Sequence, residues 1–537
     1  MLTSLPGGDY QRICVRAENV DGARAPVRFV VGRRGPFRRS WLAVNMNSMS
    51  NPVRVRYAPS PTGEPHLGNI RSALFNWLYA RASGGQFIVR IEDTDQARLV
   101  EGAQDSILDA LRWLGLDWDE GPETEGAYGP YIQSVRKEQG VYQTHTDWLI
   151  ANGHAYECYC TAERLAAMRQ AQQAASKSPG YDRQCRDVTE AERGELRKQS
   201  TSAPVVRFKM PLEGEIAIND VVRGEITFDS SLLDDFVILK SDGFPTYHLA
   251  NVVDDHLMEI THVMRAEEWL PSAPRHKKLY EAFGFEMPEL VHLPIILGPD
   301  RSKLSKRHGA TSTIYYRDEG YLASAMLNFL AMMGWSLDDS SEIFSREQLL
   351  EHFTLERIHA SPAVFDKDKL EWYNGVYIRN MDPKALAEEL VSYLEADVTG
   401  LPTSVARPLD RDYLATIVPL ERERLKRLSE APSMLEFFFI DQPEYDHGLL
   451  VQKGMDPGST RKALECALVT AEATSDWSPE ALEITYRALA EEMNLKTGQL
   501  FGTMRTAVSG RTATPPLFDM MSVLGRDRVL SRLRAAV

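Results

Sequence analysis

Four strongly basic side chains fall within one short stretch, Arg301-Ser302-Lys303-Leu304-Ser305-Lys306-Arg307-His308. Such a run is either a solvated surface or a preorganised site for polyanionic charge, where fixed cations stabilise charge as it develops. Far upstream stands Tyr57-Ala58-Pro59-Ser60-Pro61-Thr62-Gly63-Glu64-Pro65-His66-Leu67-Gly68-Asn69. His66 and Asn69 fall where a helix is expected to begin, and free N–H groups and a positive dipole end suit an anion there. A nucleotide phosphate is the natural candidate, and an ordinary turn shaped by proline and glycine is the alternative. Glu92, in Arg90-Ile91-Glu92-Asp93-Thr94-Asp95, closes an expected strand. A carboxylate there faces the crevice in which parallel sheets bind ligands. Asp93 and Asp95 read instead as acids at a helix start.

These groups need a frame. Residues 53–57 alternate polar and apolar side chains as a strand does, and 70–81 follows as a helix with Ala73, Leu74, Trp77 and Leu78 on one face. Residues 86–92, bounded by Gly84-Gly85, predict a second strand, and 101–114 an amphipathic helix. This alternation argues for a parallel sheet with helices on its faces. Residues 131–241 break the rhythm with a cysteine cluster, a polar stretch at 171–177 and strand-like runs at 205–209, 215–219 and 225–228. They read as an inserted domain. The α/β pattern returns at 235–240 and continues through 291–297. From about residue 322 the chain is helical in pattern, and 380–537 almost wholly so. Ser478-Pro479 predicts a capped helix with Leu482, Tyr486, Leu489 and Met493 on one face. The expected architecture is α/β: a Rossmann-type parallel-sheet domain with an inserted α+β domain, then all-helical C-terminal domains.

At 537 residues and 43% hydrophobic composition, several domains with sizeable cores are expected. No apolar run approaches the length of about 18 residues needed to span a bilayer. The net charge of −15 opposes a nucleic acid globally, so such a partner would have to meet a local basic surface. Five scattered cysteines suit a reducing compartment better than a disulfide framework. Residues 1–50 hold eight arginines against three acids and do not read as folded core. They are either an organellar presequence or an upstream start, with translation beginning at Met46 or Met49; the second reading is preferred.

The order P-S-P-T-G-x-x-H-x-G at 59–68 resembles the nucleotide-binding signature of class I aminoacyl-tRNA synthetases, in the form of the glutamyl and glutaminyl enzymes. Lys303-Leu304-Ser305-Lys306-Arg307 resembles the second signature of that class. The segments 242–256 and 262–269 resemble the amino-acid-binding part of bacterial glutamyl-tRNA synthetases. The resemblance covers 52–537. It implies a glutamate–tRNA ligase that uses ATP and Mg²⁺, with L-glutamate and tRNA-Glu as partners, acting as a cytoplasmic monomer. It assigns catalysis to His66, Gly68, Asn69, Lys303 and Lys306. It assigns ATP to Pro59, Ser60, His66, Gly68, Lys303, Ser305, Lys306 and Arg307. Glutamate falls to Arg56, Ala58, Ser60, Glu92, Tyr247, Asn251 and Arg265, where arginines can fork carboxylates and Glu92 can take the ammonium.

The implied domains are a catalytic first half at 51–130, an insertion at 131–241, a second half at 242–320, a helical stem-contact domain at 321–380 and an anticodon domain at 381–537. Within the last, 421–428 reads as a mixed-charge helix, and Arg424 takes the place of an arginine that contacts the third anticodon base. Zinc-bearing relatives carry C-x-C and then C-x-H in the insertion. Cys158, Cys160 and Cys185 keep that spacing with Asp187 for the histidine, and zinc accepts a carboxylate oxygen. Tyr181 is a weaker substitute ligand, and three reduced thiols without metal are the alternative. Other readings are an enzyme that also charges tRNA-Gln, a small-molecule nucleotidyltransferase, and a non-catalytic tRNA-binding paralogue. The helical C-terminal half argues against the second, and the His66/Lys306 pair against the third.

Overall fold

A computed structural model describes residues 52–124, 126–309 and 311–537, together with the backbone of two short strands, Arg16–Glu18 and Arg24–Pro26. The readings made for 1–50 otherwise lie outside the described residues. The chain divides into two units. The first holds Met1–Tyr315 and Leu327–Asp366, the second Tyr316–Met326 and Lys367–Val537.

In the first unit, strand β1 (Arg54–Tyr57) leads through the Pro/Gly loop into helix α1 (Leu67–Ala82) and back to strand β2 (Gln86–Val89). Helix α2 (Ala103–Leu114) follows. A hairpin, β3 (Glu215–Asp220) and β4 (Gly224–Asp229), precedes helix α3 (Tyr247–Leu257), strand β5 (His262–Ala266), helix α4 (Ala273–Phe283) and strand β6 (Glu289–Leu293). The six strands form one sheet in the order β2-β1-β5-β6-β3-β4. All neighbours are parallel except the β3–β4 hairpin. The crossing between β1 and β5 puts the exits of both strands beside one crevice, as doubly wound sheets do at their switch point.

Helix α1 differs from the one-sided helix expected. Its Ile70, Ala73, Phe75, Leu78 and Ala80 are all fully buried, and so is Arg71. A helix apolar on all sides is a core helix. Arg71 is tolerated there because it donates to the Met333 carbonyl at 2.8 Å and to that of Pro294.

The insertion is smaller than expected. Ala155–Cys158, Val205–Phe208 and Val237–Leu239 form a separate antiparallel sheet. The runs expected at 215–219 and 225–228, by contrast, belong to the main sheet. Their alternation buries Ile216 and Ile218 on its core face, and Asp220 pairs in register with Leu290 of β6.

The second unit is helical. It takes in residues 316–326 as well as 367–537. Ser478 caps helix Pro479–Glu492 by accepting from the Ala481 amide, and Leu482, Tyr486 and Leu489 are buried beneath it; Met493 closes the helix at its edge. The stretch 421–428 is not a helix. Helix Arg411–Glu421 stops, and the chain turns so that Leu425 and Leu428 are buried while Arg427 pairs with Glu319 and Glu430. No helix among the described residues is long and apolar enough to cross a membrane.

Near the C-terminus the buried Arg532 donates to the carbonyls of Asp441, Val508, Phe437 and Ile440, at 3.0, 2.5, 2.6 and 2.6 Å. It closes helix ends that packing would otherwise leave with unpaired acceptors. Each buried acceptor stripped of its donor costs about 1–3 kcal/mol. Arg532→Met is therefore expected to lower the urea-unfolding midpoint clearly, with a loss of at least about 3 kcal/mol. An unchanged midpoint would show that these carbonyls find other donors.

Candidate active site

The two basic and Pro/Gly motifs are held together by backbone. Residues 65–67 pair antiparallel with 311–313: Leu67 N–H donates to Thr311 O at 2.9 Å, and Thr313 N–H to Pro65 O at 3.0 Å. The loop also ties to β2, since Arg90 N–H donates to Tyr57 O and Glu92 N–H to Pro59 O. Ser60, His66 and Asn69 line one cleft of about 180 Å³. His66 caps α1, its Nδ1 accepting the Gly68 amide at 3.0 Å. The amides of Leu67, Gly68 and Asn69 are thus all occupied, by Thr311 O, His66 Nδ1 and His66 O. This corrects the expectation that the Gly68-Asn69 backbone offers free donors to a phosphate. The helix begins three residues earlier than expected, with its cap built in.

His66 keeps a different use. Burial and the nearby Lys303 charge hold its pKa below the ordinary value. The ring is therefore neutral near pH 7, and with Nδ1 accepting, its proton sits on Nε2 as a donor. Lys303 pairs with Glu268. Arg307 Nη2 donates to Ser302 Oγ at 2.5 Å and lies 3.6 Å from Asp300. Asp300 fixes the loop by accepting from Ser302, and that hydrogen bonding holds its pKa well below the carboxylate range. Ser305 N–H donates to His308 Nδ1 at 3.1 Å. Lys306 begins the turn Lys306–His308; its side chain lies outside the described residues.

Beneath the cleft lies a buried charge network. Asp255 accepts from Arg56 Nε at 3.0 Å, Arg56 Nη2 at 3.2 Å and Arg90 Nη1 at 2.8 Å. Burial alone would raise its pKa; Arg56 and Arg90 outweigh that and hold it low. Arg90 Nη2 also donates to Glu92 Oε1 at 2.9 Å. Asp254 accepts from Arg136 at 2.8 Å, and from Gln133 and Tyr142 at 2.9 Å each. Arg56, Arg90 and Arg136 thus balance Asp254, Asp255 and Glu92. Arg56 is less available than expected, because Asp255 holds two of its three guanidinium nitrogens.

Arg265 stands outside this balance. It is 7% exposed and has no carboxylate partner among the described residues. Its Nη1 donates to Tyr247 Oη at 2.5 Å and its Nε to His292 Nε2 at 3.1 Å. Its Nη2 is buried without a partner, as is Asn251 Nδ2. Buried polar groups rarely stay unpaired, so these two donors mark where an anion with further acceptors fits. Ala58 and Pro59 shape the neighbouring loop without offering side-chain chemistry.

Residues 52–372 match the family of "tRNA synthetases class I (E and Q), catalytic domain", and 385–537 match an anticodon binding domain. A glutamate–tRNA ligase of Dehalococcoides mccartyi is 53% identical over 91% of this chain and 98% of its own. One from Chloroflexus aurantiacus is 47% identical over 92% and 99%. The chain belongs to the glutamate–tRNA ligase family. A crystal structure of a glutamate tRNA ligase from Elizabethkingia meningosepticum, in complex with its amino acid, superposes with a TM-score of 0.80. It is 36% identical and covers 90% of this chain and 99% of that one. The class I fold and the helical C-terminal anticodon domain expected from the sequence are those of this family, and ATP use follows from membership.

Outside the cleft, Cys158, Cys160 and Cys185 bring their sulfurs within 4.8 Å of one another. Asp187 does not join them; it is exposed. Tyr181 takes its place. The phenol oxygen lies 3.3 Å from Cys158 Sγ and 3.5 Å from Cys160 Sγ, and accepts the Cys185 amide at 3.0 Å. The Cys158 thiol is pulled down to about 4, first by its hydrogen bond with Cys185. In the second unit, Arg424 is bonded to the buried Glu421 at 2.8 Å.

Sequence reasoning missed Asp255, Arg90, Gln133 and His292. One signal was present: Asp254-Asp255 interrupts an otherwise apolar helix face, which is costly unless both acids are paired.

Burial raises the Glu92 pKa, with Arg90 and then Arg56 opposing it. The carboxylate, the form able to hold an ammonium, exists above that raised pKa and is lost as pH falls through it. The KM for glutamate should therefore rise on acidification, starting above the usual Glu range near about 4.3, while the KM for ATP does not follow. Glu92→Gln should remove the pH dependence. A glutamate KM with the same profile in both proteins would assign the titration to another group.

Proposed function

We propose that the chain activates L-glutamate with ATP and Mg²⁺ and transfers the glutamyl group to the 3′-terminal adenosine of tRNA-Glu. In the first step a glutamate α-carboxylate oxygen attacks the α-phosphorus and pyrophosphate leaves. In the second, a ribose hydroxyl attacks the acyl carbon and AMP leaves. No covalent enzyme intermediate is needed; positioning and fixed charge suffice. His66 offers its Nε2 proton to the phosphates. Lys306, Lys303 and Arg307 take the pyrophosphate, and Lys303 must exchange Glu268 for it. Mg²⁺, bound with ATP, would supply further positive charge against the departing pyrophosphate.

The observation that carries the choice of amino acid is Arg265 Nη2, buried without a partner on a guanidinium that contacts no carboxylate. Asp220 lies beyond the neutral His292 and does not touch it, so a ligand carboxylate supplies the missing contact. The glutamate side chain has one and that of glutamine does not. Glu92 takes the ammonium through its free oxygen. Ser60, Tyr247 and Asn251 fix orientation, and Arg56 contributes its remaining nitrogen.

Aminoacylation of total tRNA with each amino acid tests this. Glutamate is expected to be charged and glutamine not, with ATP–pyrophosphate exchange negligible until tRNA is added. Lys306→Ala and His66→Ala should each cut charging well beyond threefold, which corresponds to about 0.7 kcal/mol. Activity within that limit for both would remove them from the site. Charging of purified tRNA-Glu but not tRNA-Gln would agree with Arg424 at the third anticodon base.

We also propose zinc on Cys158, Cys160 and Cys185, with Tyr181 rather than Asp187 beside the fourth position. Three thiols within bonding reach of one point suit a tetrahedral ion, which would pin the insertion and take no part in the reaction. Metal analysis of the purified protein should give near one equivalent, and Asp187→Ala should not change it. Less than about 0.2 equivalents would leave three reduced thiols.

A further inference from the structure

Asp220, His292 and Arg265 lie on three adjacent strands, β3, β6 and β5, and form a row across the sheet. Arg265 and His292 are register partners, and Leu290, two residues before His292, pairs with Asp220. All three are buried, His292 completely. Asp220 has every acceptor filled. Its Oδ1 takes the amides of Val222 and Arg223 at 3.0 and 2.9 Å, and its Oδ2 takes the His292 amide at 3.0 Å and His292 Nδ1 at 2.7 Å.

That arrangement dictates the histidine's tautomer. A carboxylate loaded with donors fixes the proton on Nδ1, so Nε2 is left as an acceptor. Burial keeps the ring neutral, pushing His292 down to about 4. Nε2 then takes the Arg265 Nε–H at 3.1 Å. Tyr247 takes Nη1, and Nη2 is the nitrogen left over.

A guanidinium is planar, so fixing Nε and Nη1 fixes the direction of Nη2. We infer that the Asp220–His292 pair is a positioning device for Arg265, aiming its one unpartnered nitrogen at the carboxylate of the amino acid. Neither residue touches substrate. A pair that merely stitched strands would need no acceptor facing Arg265, since β5 and β6 are already joined through their backbones. The inference rests on Arg265 binding the amino acid, as proposed above.

Three variants of the full chain separate the possibilities. Asparagine at 292 can reproduce the Nδ1 donor toward Asp220 but offers Arg265 nothing. Glutamine can place an oxygen where Nε2 was. His292→Asn should raise the glutamate KM at least about tenfold, with the KM for ATP and the melting midpoint little changed. His292→Gln should stay within about threefold of the parent, the range in which an aligned hydrogen bond is retained. Arg265→Lys should raise the glutamate KM at least as much as His292→Asn. A normal glutamate KM in Arg265→Lys would overturn the site assignment itself. A raised value there with a normal one in His292→Asn would overturn the positioning role alone. Equal losses in the two His292 variants, or losses shared by ATP and the melting midpoint, would make His292 structural and overturn it likewise.

Discussion

Asp255 sits between Arg56 and Arg90, fully out of water, and the pocket depends on it. Two arginines project from neighbouring parallel strands into the same crevice. Without an anion between them their charges would repel and neither could be buried. The carboxylate comes from α3, so one ion pair fixes helix to sheet and neutralises the floor of the site together. The neighbouring Asp254 does the same for Arg136. What remains is Arg265, set beside this paired floor and separated from the buried Asp220 by the neutral His292. The chain carries −15 and its family takes anionic partners. Local balance, not the global field, has to make that workable, because short-range buried interactions are screened far less than surface ones.

The loop above this floor follows a similar logic. Its helix start would be an anion site if the amides were free, but His66 and Thr311 already occupy them. The consequence is that the donors left at this end of the cleft are side chains. His66 becomes a neutral donor whose orientation is fixed by Gly68, where a Cβ would press on the ring at 3.3 Å. The basic run is likewise constrained: Asp300, Ser302 and His308 bond one another, and Glu268 holds Lys303. Pairing of 65–67 with 311–313 then gives both motifs one backbone reference, although they are distant in sequence.

Much of this was readable from the chain, for identifiable reasons. Strands β1 and β2, helix α2 and the capped helix at Pro479–Glu492 announce themselves by period and punctuation, which are local properties. Glu92 was singled out because a carboxylate at the end of a parallel strand faces the crevice, and Arg265 only through the resemblance of 262–269 to the family. The failures have two causes. The hairpin β3–β4 lies after a break in rhythm, and nothing local says that it rejoins the main sheet. Residues 421–428 have helical charge spacing, yet burial of Leu425 and Leu428 turns the chain. Asp187 occupies the expected ligand position in sequence, while the fold brings Tyr181 to the thiols. Arg56 looked free because its partner is distant in sequence. The hairpin and Arg56 depend on long-range partners, which spacing does not encode; at 421–428 and at the thiols, burial decides which nearby side chain turns inward.

Selectivity in such a pocket comes from burial as much as from contact. A glutamine amide is close in shape to a carboxylate and would make similar neutral hydrogen bonds with Tyr247 and Asn251. In water the distinction between the two would be worth little. Around Arg265 it is worth more, because a buried guanidinium without a counter-charge pays the full desolvation cost, typically several kcal/mol. The neutral floor matters here: were Asp255 absent, Arg56 and Arg90 would compete with Arg265 for the same ligand charge. The one buried acid nearby, Asp220, reaches Arg265 only through the neutral His292, so the guanidinium keeps a nitrogen with no acceptor in contact.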